Sequence, residues 1–132
     1  MMPSQARHHA LQGYVFTRET TMDTAFLNGT VDLLLLAVVS EAPSYGYEIT
    51  QAVLARSGGR FALKEGSLYP ALHRLERDKL LESYWTEHEG RRRKYYRLTP
   101  GGRKNLAARR TEWATFADGV RGVLGLPAIA PV

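Results

Sequence analysis

Apolar positions recur with a helical period through most of this chain. Residues 33–39 form an unbroken apolar run, which predicts a helix over about residues 30–41 that is buried on nearly all sides. Apolar side chains recur again over residues 45–56, and Gly58-Gly59 can end a second helix there. A short strand is expected next at residues 61–63, where apolar and polar positions alternate.

The middle of the chain carries the most informative pattern. Three leucines recur at helical spacing, which predicts an amphipathic helix over residues 65–78 with a polar outer face. Residues 80–98 then predict a two-stranded hairpin with its turn at Glu89-Gly90 and a basic tip. A last helix is predicted over residues 99–124, because a threonine and a proline suit its N-cap and first helical position.

This order of elements predicts a fold that is mainly α with a small β-hairpin. A polar helix beside a basic hairpin is the arrangement in which a winged helix meets duplex DNA, with the helix in the major groove and the wing on the neighbouring backbone. We therefore expect a winged helix-turn-helix domain followed by a C-terminal dimerisation helix. The expected divisions are residues 1–25 (a flexible N-terminal arm), 26–98 (the DNA-binding domain), 99–125 (the dimerisation helix) and 126–132 (a flexible tail). Whether translation starts at Met1 or Met22 stays open.

Charge and composition narrow the class of partner. The net charge is +5, and residues 91–110 include nine basic residues and no acidic one. Such a block favours a polyanion, because each phosphate that it neutralises releases counterions; the alternative is a solvated basic face. The chain has no cysteine, so it can form neither a disulfide nor a thiolate metal site. The longest apolar run is about a third of a membrane span, so we expect a cytoplasmic protein with no membrane partner.

The candidate DNA contacts are polar or basic side chains of the second and third helices and of the wing. They are Tyr47, Ser67, Tyr69, Pro70, His73, Arg74, Arg91, Arg92, Arg93 and Lys94. The hydroxyls can donate to phosphates, and Arg74 or His73 can reach a base edge. For Tyr47 and Tyr69, packing inside the domain is an equal alternative. No cofactor site, metal site or catalytic set is expected, so an enzyme is not predicted.

The last helix carries apolar residues at close to heptad spacing. Because a small domain is complete before it, we expect this face to pack on a second copy of the chain. The predicted dimer interface comprises Leu106, Trp113, Ala117, Val120 and Leu124.

Four motifs occur in one order: LNGTVDLLLLAVVSE, SYGYEI, GSLYPALHRLE and GRRRKYYRLTPGG. Together they resemble the PadR-like transcriptional repressors, over about residues 26–124. The resemblance implies a homodimer that binds an inverted-repeat operator and is released by a small molecule. It also implies that the last helix packs on the first helix of the partner. Some drug-sensing members place a tryptophan in that helix, and Trp113 stands in the similar position.

Trp113 and Phe116 are therefore candidate contacts for a small aromatic or drug-like effector. Aromatic side chains in an interface can stack on planar aromatic compounds, although at helical spacing they more often form only the interface core. Two other functions stay open. The chain could be a winged-helix protein-interaction module, or a small-molecule-binding protein without a DNA target, because a fold alone does not fix function.

Overall fold

The computed structural model describes residues 24–127, and the remaining parts of the expected arm and tail lie outside the described residues. The described chain forms four helices and three strands. They are α1 (Thr24–Val39), β1 (Ser44–Tyr45), α2 (Gly46–Arg56), α3 (Glu65–Arg77), β2 (Leu81–His88), β3 (Arg91–Leu98) and α4 (Pro100–Leu124). The prediction of a mainly helical fold with a small hairpin is confirmed.

Helix α1 is the centre of the core. It packs against the other three helices and against β3. Leu35 and Leu36 are fully buried, and each residue from 30 to 40 is buried or half-buried. The continuous apolar run in α1 therefore exists because this helix has neighbours on several sides, as predicted.

The sheet is antiparallel and has the strand order β1-β3-β2. The β2–β3 register runs from Leu81 opposite Leu98 to His88 opposite Arg91. Only Glu89 and Gly90 connect the strands, with φ angles of 54° and 76°. Two successive positive φ angles indicate a type I′ turn, which matches the twist of a hairpin. The predicted hairpin and its turn are confirmed.

Two element boundaries differ from the predictions. Helix α1 begins at Thr24 rather than near residue 30. The short strand is Ser44–Tyr45, which pairs with Tyr95 and Tyr96 of β3, and residues 61–63 form no strand. Leu63 packs into the core instead. The prediction failed because alternation marks a half-buried segment but does not identify the strand that it would pair with.

The junction between the hairpin and α4 is tightly packed. The Thr99 hydroxyl accepts a hydrogen bond from the Gly102 amide at 2.9 Å and so caps α4. A Cβ added to Gly102 would lie 2.0 Å from the Leu80 carbonyl oxygen. Leu106 is 3% exposed and belongs to the core of its own chain. The expectation that Leu106 faces a partner is therefore corrected, because the first two turns of α4 complete the core. No helix in the described part of the chain is long and apolar enough to span a bilayer.

Candidate nucleic-acid interface

An open groove of about 840 Å³ lies between the start of α2, the exposed face of α3 and the hairpin. It is lined by Tyr45, Gly46, Tyr47, Tyr69, His73, Trp85, Arg91, Arg92, Arg93, Lys94 and Tyr96. Four of these residues are cationic and none is a carboxylate. The groove therefore unites seven of the ten predicted DNA contacts, and its lining combines positive charge with aromatic surface.

Helix α3 supplies Tyr69 and His73, which are four residues apart and share one face. Both are exposed, while Leu68 and Leu72 on the other side of the helix are buried. The Tyr69 hydroxyl also lies beside the α2 backbone, since a Cβ added to Gly46 would be 2.9 Å from it. Tyr69 thus both packs on the domain and lines the groove, so the two alternatives were not exclusive.

Tyr47 stands at the opposite wall of the groove, at the start of α2. It is 64% exposed, so it is not a core tyrosine. Its ring stacks on that of Tyr45, with the centroids 6.5 Å apart. The two rings give this wall a polar hydroxyl edge and an apolar face.

The basic side chains of the wing are held against aromatic rings. The Arg92 guanidinium carbon lies 4.7 Å from the ring centroid of Trp85, and that of Arg93 lies 4.5 Å from that of Tyr45. At these distances the guanidinium groups are attracted by the ring quadrupoles. The contacts restrict long side chains that would otherwise be mobile, and so place their charge at the groove.

Lys94 connects the wing to α3. Its Nζ lies 3.9 Å from Glu76 Oε1 and 5.7 Å from the Tyr96 ring centroid. Burial raises the pKa of the Tyr96 hydroxyl, and the charge of Glu76 and the nearby Tyr69 raise it further. Tyr96 therefore remains neutral at physiological pH. Among the predicted wing contacts, Arg91 and Arg92 are exposed, whereas Arg93 and Lys94 are half-buried.

Arg74 has a different environment from the one predicted. Its Nη2 donates to Asp32 Oδ1 on α1 at 2.8 Å, and its side chain is 26% exposed. In the unbound protein this arginine is thus held on α1, and its role as a direct DNA contact stays a prediction. Ser67 is half-buried and Pro70 is exposed in the first half of α3, outside the residues that line the groove.

Trp85 and Tyr45 line the groove but were not among the predicted contacts. Trp85 is 56% exposed on β2, directly opposite Lys94 in the hairpin register. The sequence carried a signal for it. Once the turn is placed at Glu89-Gly90, the register follows, and an exposed tryptophan opposite a basic strand is identifiable. Tyr45 had no comparable signal, because its position depends on the unpredicted β1.

A second concavity, of about 270 Å³, lies between α1 and α4. It is lined by Gly29, Thr30, Leu33, Arg109, Glu112, Trp113 and Phe116. The Trp113 and Phe116 rings meet edge-on with their centroids 6.4 Å apart. Beyond them, Val120 and Leu124 are exposed on the same helix, and Ala117 is half-buried. The structure thus places both candidate effector contacts in one cavity, next to an apolar surface.

In sequence and in structure, the chain is similar to known transcriptional regulators. The model of the transcriptional regulator PadR-like family matches residues 35–108. A transcriptional regulator of Mycobacterium tuberculosis is 39% identical over 97 residues, which are 74% of this chain and 88% of the relative. A transcriptional regulator from Clostridium thermocellum has a solved structure with 32% identity and a TM-score of 0.68, over 77% of this chain and 97% of that chain. A PadR family regulator from Eggerthella lenta is 36% identical with a TM-score of 0.64, over 76% and 87% of the two chains.

Proposed function

The chain belongs to the PadR-like family of transcriptional regulators, which are not enzymes, and we propose that it is a ligand-responsive repressor. It acts in the cytoplasm as a homodimer on an inverted-repeat operator in duplex DNA. The observation that carries this proposal is the cationic, aromatic groove between α3 and the wing.

The groove supports different roles for α3 and for the wing in DNA binding. Tyr69 and His73 project from α3, which has the dimensions to enter the major groove of B-DNA. Arg91 and Arg92 at the tip of the wing then lie toward the phosphates of the neighbouring backbone. In this arrangement the wing supplies most of the salt-dependent affinity, and α3 supplies most of the discrimination between sequences.

The proposed dimer rests on the second half of α4. Trp113, Phe116, Val120 and Leu124 are large apolar side chains on its exposed surface, and Val123 is 89% exposed. Contiguous apolar surface of this kind marks an interaction site in a soluble protein. A symmetric pair of chains would cover this surface of α4 with a second copy of the chain, and would present two copies of α3 to two operator half-sites.

The proposed effector site is the cavity beside Trp113. Two aromatic rings in edge-on contact offer faces to a planar apolar compound, and Glu112 adds a negative charge for a cationic one. Because α1 and α4 both line the cavity, a ligand there can favour one arrangement of these helices. A ligand that prefers an arrangement unsuited to the operator lowers DNA affinity by linkage.

The test is fluorescence anisotropy with a labelled duplex from upstream of the protein's own gene. Binding is titrated against scrambled duplex and repeated over a range of salt concentrations. A sequence-specific regulator gives competitor-resistant binding and a steep salt slope, with about one unit of slope per neutralised phosphate. If own-gene DNA behaves as the scrambled duplex does, selection of binding sites from genomic DNA fragments follows.

The same assay discriminates the alternative functions. A protein-interaction module or a ligand carrier has no reason to bind duplex with a steep salt slope, so a flat slope with every duplex would contradict the proposal. Sedimentation of the same sample tests the dimer, and adding planar aromatic cations to the preformed complex tests the effector. Release of labelled DNA without unfolding of the protein is the expected result.

A further inference from the structure

A partly buried ion pair connects the central helix to the helix that bears the groove. Asp32 on α1 is 8% exposed. Its Oδ1 accepts a hydrogen bond from Arg74 Nη2 on α3 at 2.8 Å, across 42 positions in sequence. The same two helices also carry four buried leucines of the core, Leu35, Leu36, Leu72 and Leu75.

The ion pair is not an efficient way to stabilise the core. Burying two charges costs desolvation energy, which is recovered only when the geometry is good and the other polar atoms are satisfied. Arg74 Nε is buried and has no hydrogen-bond partner among the described residues. A pair of apolar residues would fill the same space without this cost, so the ion pair points to a role in orientation.

Orientation matters here because of where Arg74 lies on α3. It directly follows His73, which lines the groove, and precedes Leu75, which is buried. The apolar contacts of the leucines on the buried face are not directional. A charge-assisted hydrogen bond is directional. The Asp32–Arg74 contact therefore ties the rotation of α3 about its axis to a fixed point on α1.

We propose that Asp32 and Arg74 are positioning residues for operator recognition. By fixing the rotation of α3, they set where Tyr69 and His73 meet the base edges, although neither Asp32 nor Arg74 touches DNA. This inference rests on the proposed function. It differs from a direct role for Arg74, in which the arginine would leave Asp32 on binding and contact the operator itself.

The two roles make opposite predictions for Asp32→Asn. If Arg74 contacts DNA directly, weakening its bond to Asp32 leaves operator binding unchanged or tighter, while Arg74→Met loses affinity and salt slope. If the pair positions α3, both substitutions reduce the preference for operator over scrambled duplex. We expect a reduction of about ten-fold, the size of coupling between residues in direct contact. The double variant should lose no more than either single variant, and the salt slope should stay that of the natural chain.

The experiment measures operator and scrambled-duplex affinity for the natural chain, the two single variants and the double variant. All are assayed well below the unfolding temperature that circular dichroism gives for each. The matched control is Glu41→Gln, which weakens an exposed ion pair with Arg56 on α2 (3.0 Å) and should leave the preference unchanged. If Arg74→Met fails to fold, Arg74→Lys retains the charge with a different reach and should lower the preference to an intermediate degree.

The outcomes separate this inference from the proposed function. A natural chain that shows no preference for any duplex would overturn both. A natural chain that prefers its operator while Asp32→Asn keeps that preference would overturn the positioning role alone. Strictly additive losses in the double variant would also overturn it, because two residues that act through one contact cannot be independent.

Discussion

The Arg92 guanidinium on β3 lies over the indole of Trp85 on β2, with 4.7 Å between the guanidinium carbon and the ring centroid. Both side chains line the groove. The exposed ring of Trp85 thus forms a platform for the Arg92 cation. Its apolar surface helps to hold the charge of Arg92 at the groove.

We expect Trp85→Ala to weaken duplex binding by about two- to five-fold, the equivalent of an exposed cation–aromatic contact. The salt slope should be unchanged, because Arg92 keeps its charge. Trp85→Phe should restore most of the affinity by restoring a ring. The matched control is Tyr84→Ala, which removes the comparable pair with Arg97 (4.7 Å) outside the groove lining. Equal losses in Trp85→Ala and Tyr84→Ala would mean that the hairpin as a whole, rather than the platform, had been weakened.

Replacing Arg92 and Arg93 together by alanine should weaken binding to every duplex and reduce the salt slope by about two units, since each phosphate contact contributes about 0.9. The preference for operator over scrambled DNA should change little, because phosphate contacts carry no sequence information. The control is the double variant Arg56→Ala with Arg60→Ala, which removes the same amount of charge near the C-terminal end of α2, outside the groove lining. Anisotropy titrations at several salt concentrations give the slopes, and unchanged slopes in the wing variant would show that the wing does not contact the backbone.

His73→Ala should relax sequence specificity at one operator position, at a cost of about 1–3 kcal/mol for the preferred base pair. The reason is that His73 lines the groove from α3, where a side chain can reach a base edge. Arg77→Ala is the control, because Arg77 is exposed near the end of the same helix and pairs with Asp78 at 3.3 Å. Titrations against a panel of single base-pair substitutions in the operator are the measurement. An unchanged pattern across that panel for His73→Ala would exclude a base contact by this histidine.

Gly102→Ala should lower the free energy of unfolding by at least about 2 kcal/mol, in the range of overpacking substitutions. Its Cβ would be 2.0 Å from the Leu80 carbonyl oxygen, which is backbone and cannot move aside cheaply. At the neighbouring Gly101 the nearest atoms are 3.7 Å and 3.9 Å away, so Gly101→Ala should be neutral or stabilising by up to about 1 kcal/mol. Urea unfolding followed by circular dichroism compares the two, and equal stabilities would contradict the close packing of α4 against the Leu80 carbonyl.

The sequence was most informative where a local rule fixes local structure. The Glu89-Gly90 turn, the Thr99 cap and the apolar period of α3 were predicted because each depends on residues near one another in the chain. The strand at Ser44–Tyr45 was missed because two residues carry no period, and only the free edge of β3 makes them a strand.

The same distinction between local and distant determinants applies to the candidate site. The basic wing tip was predicted from its composition, but the direction of Arg74 depends on Asp32, which lies in another helix. From the sequence alone, a basic residue on a polar helix face is interpreted as a nucleic-acid contact, because its acidic partner on another helix is not visible. Leu106 was assigned to an interface for a related reason, since the sequence does not tell which core a helix covers.

The Thr99 junction makes α4 and the wing mechanically continuous. Strand β3 ends at Leu98 and α4 begins at Pro100, and the intervening threonine is bonded to the Lys79 and Leu80 carbonyls and to the Gly102 amide. No flexible linker therefore separates β3 from α4. The 25 residues of α4 form a helix about 37 Å long, which begins at the base of the wing and packs on α1. We therefore expect any shift of α4 relative to the sheet to move the strand that carries Arg91, Arg92 and Arg93.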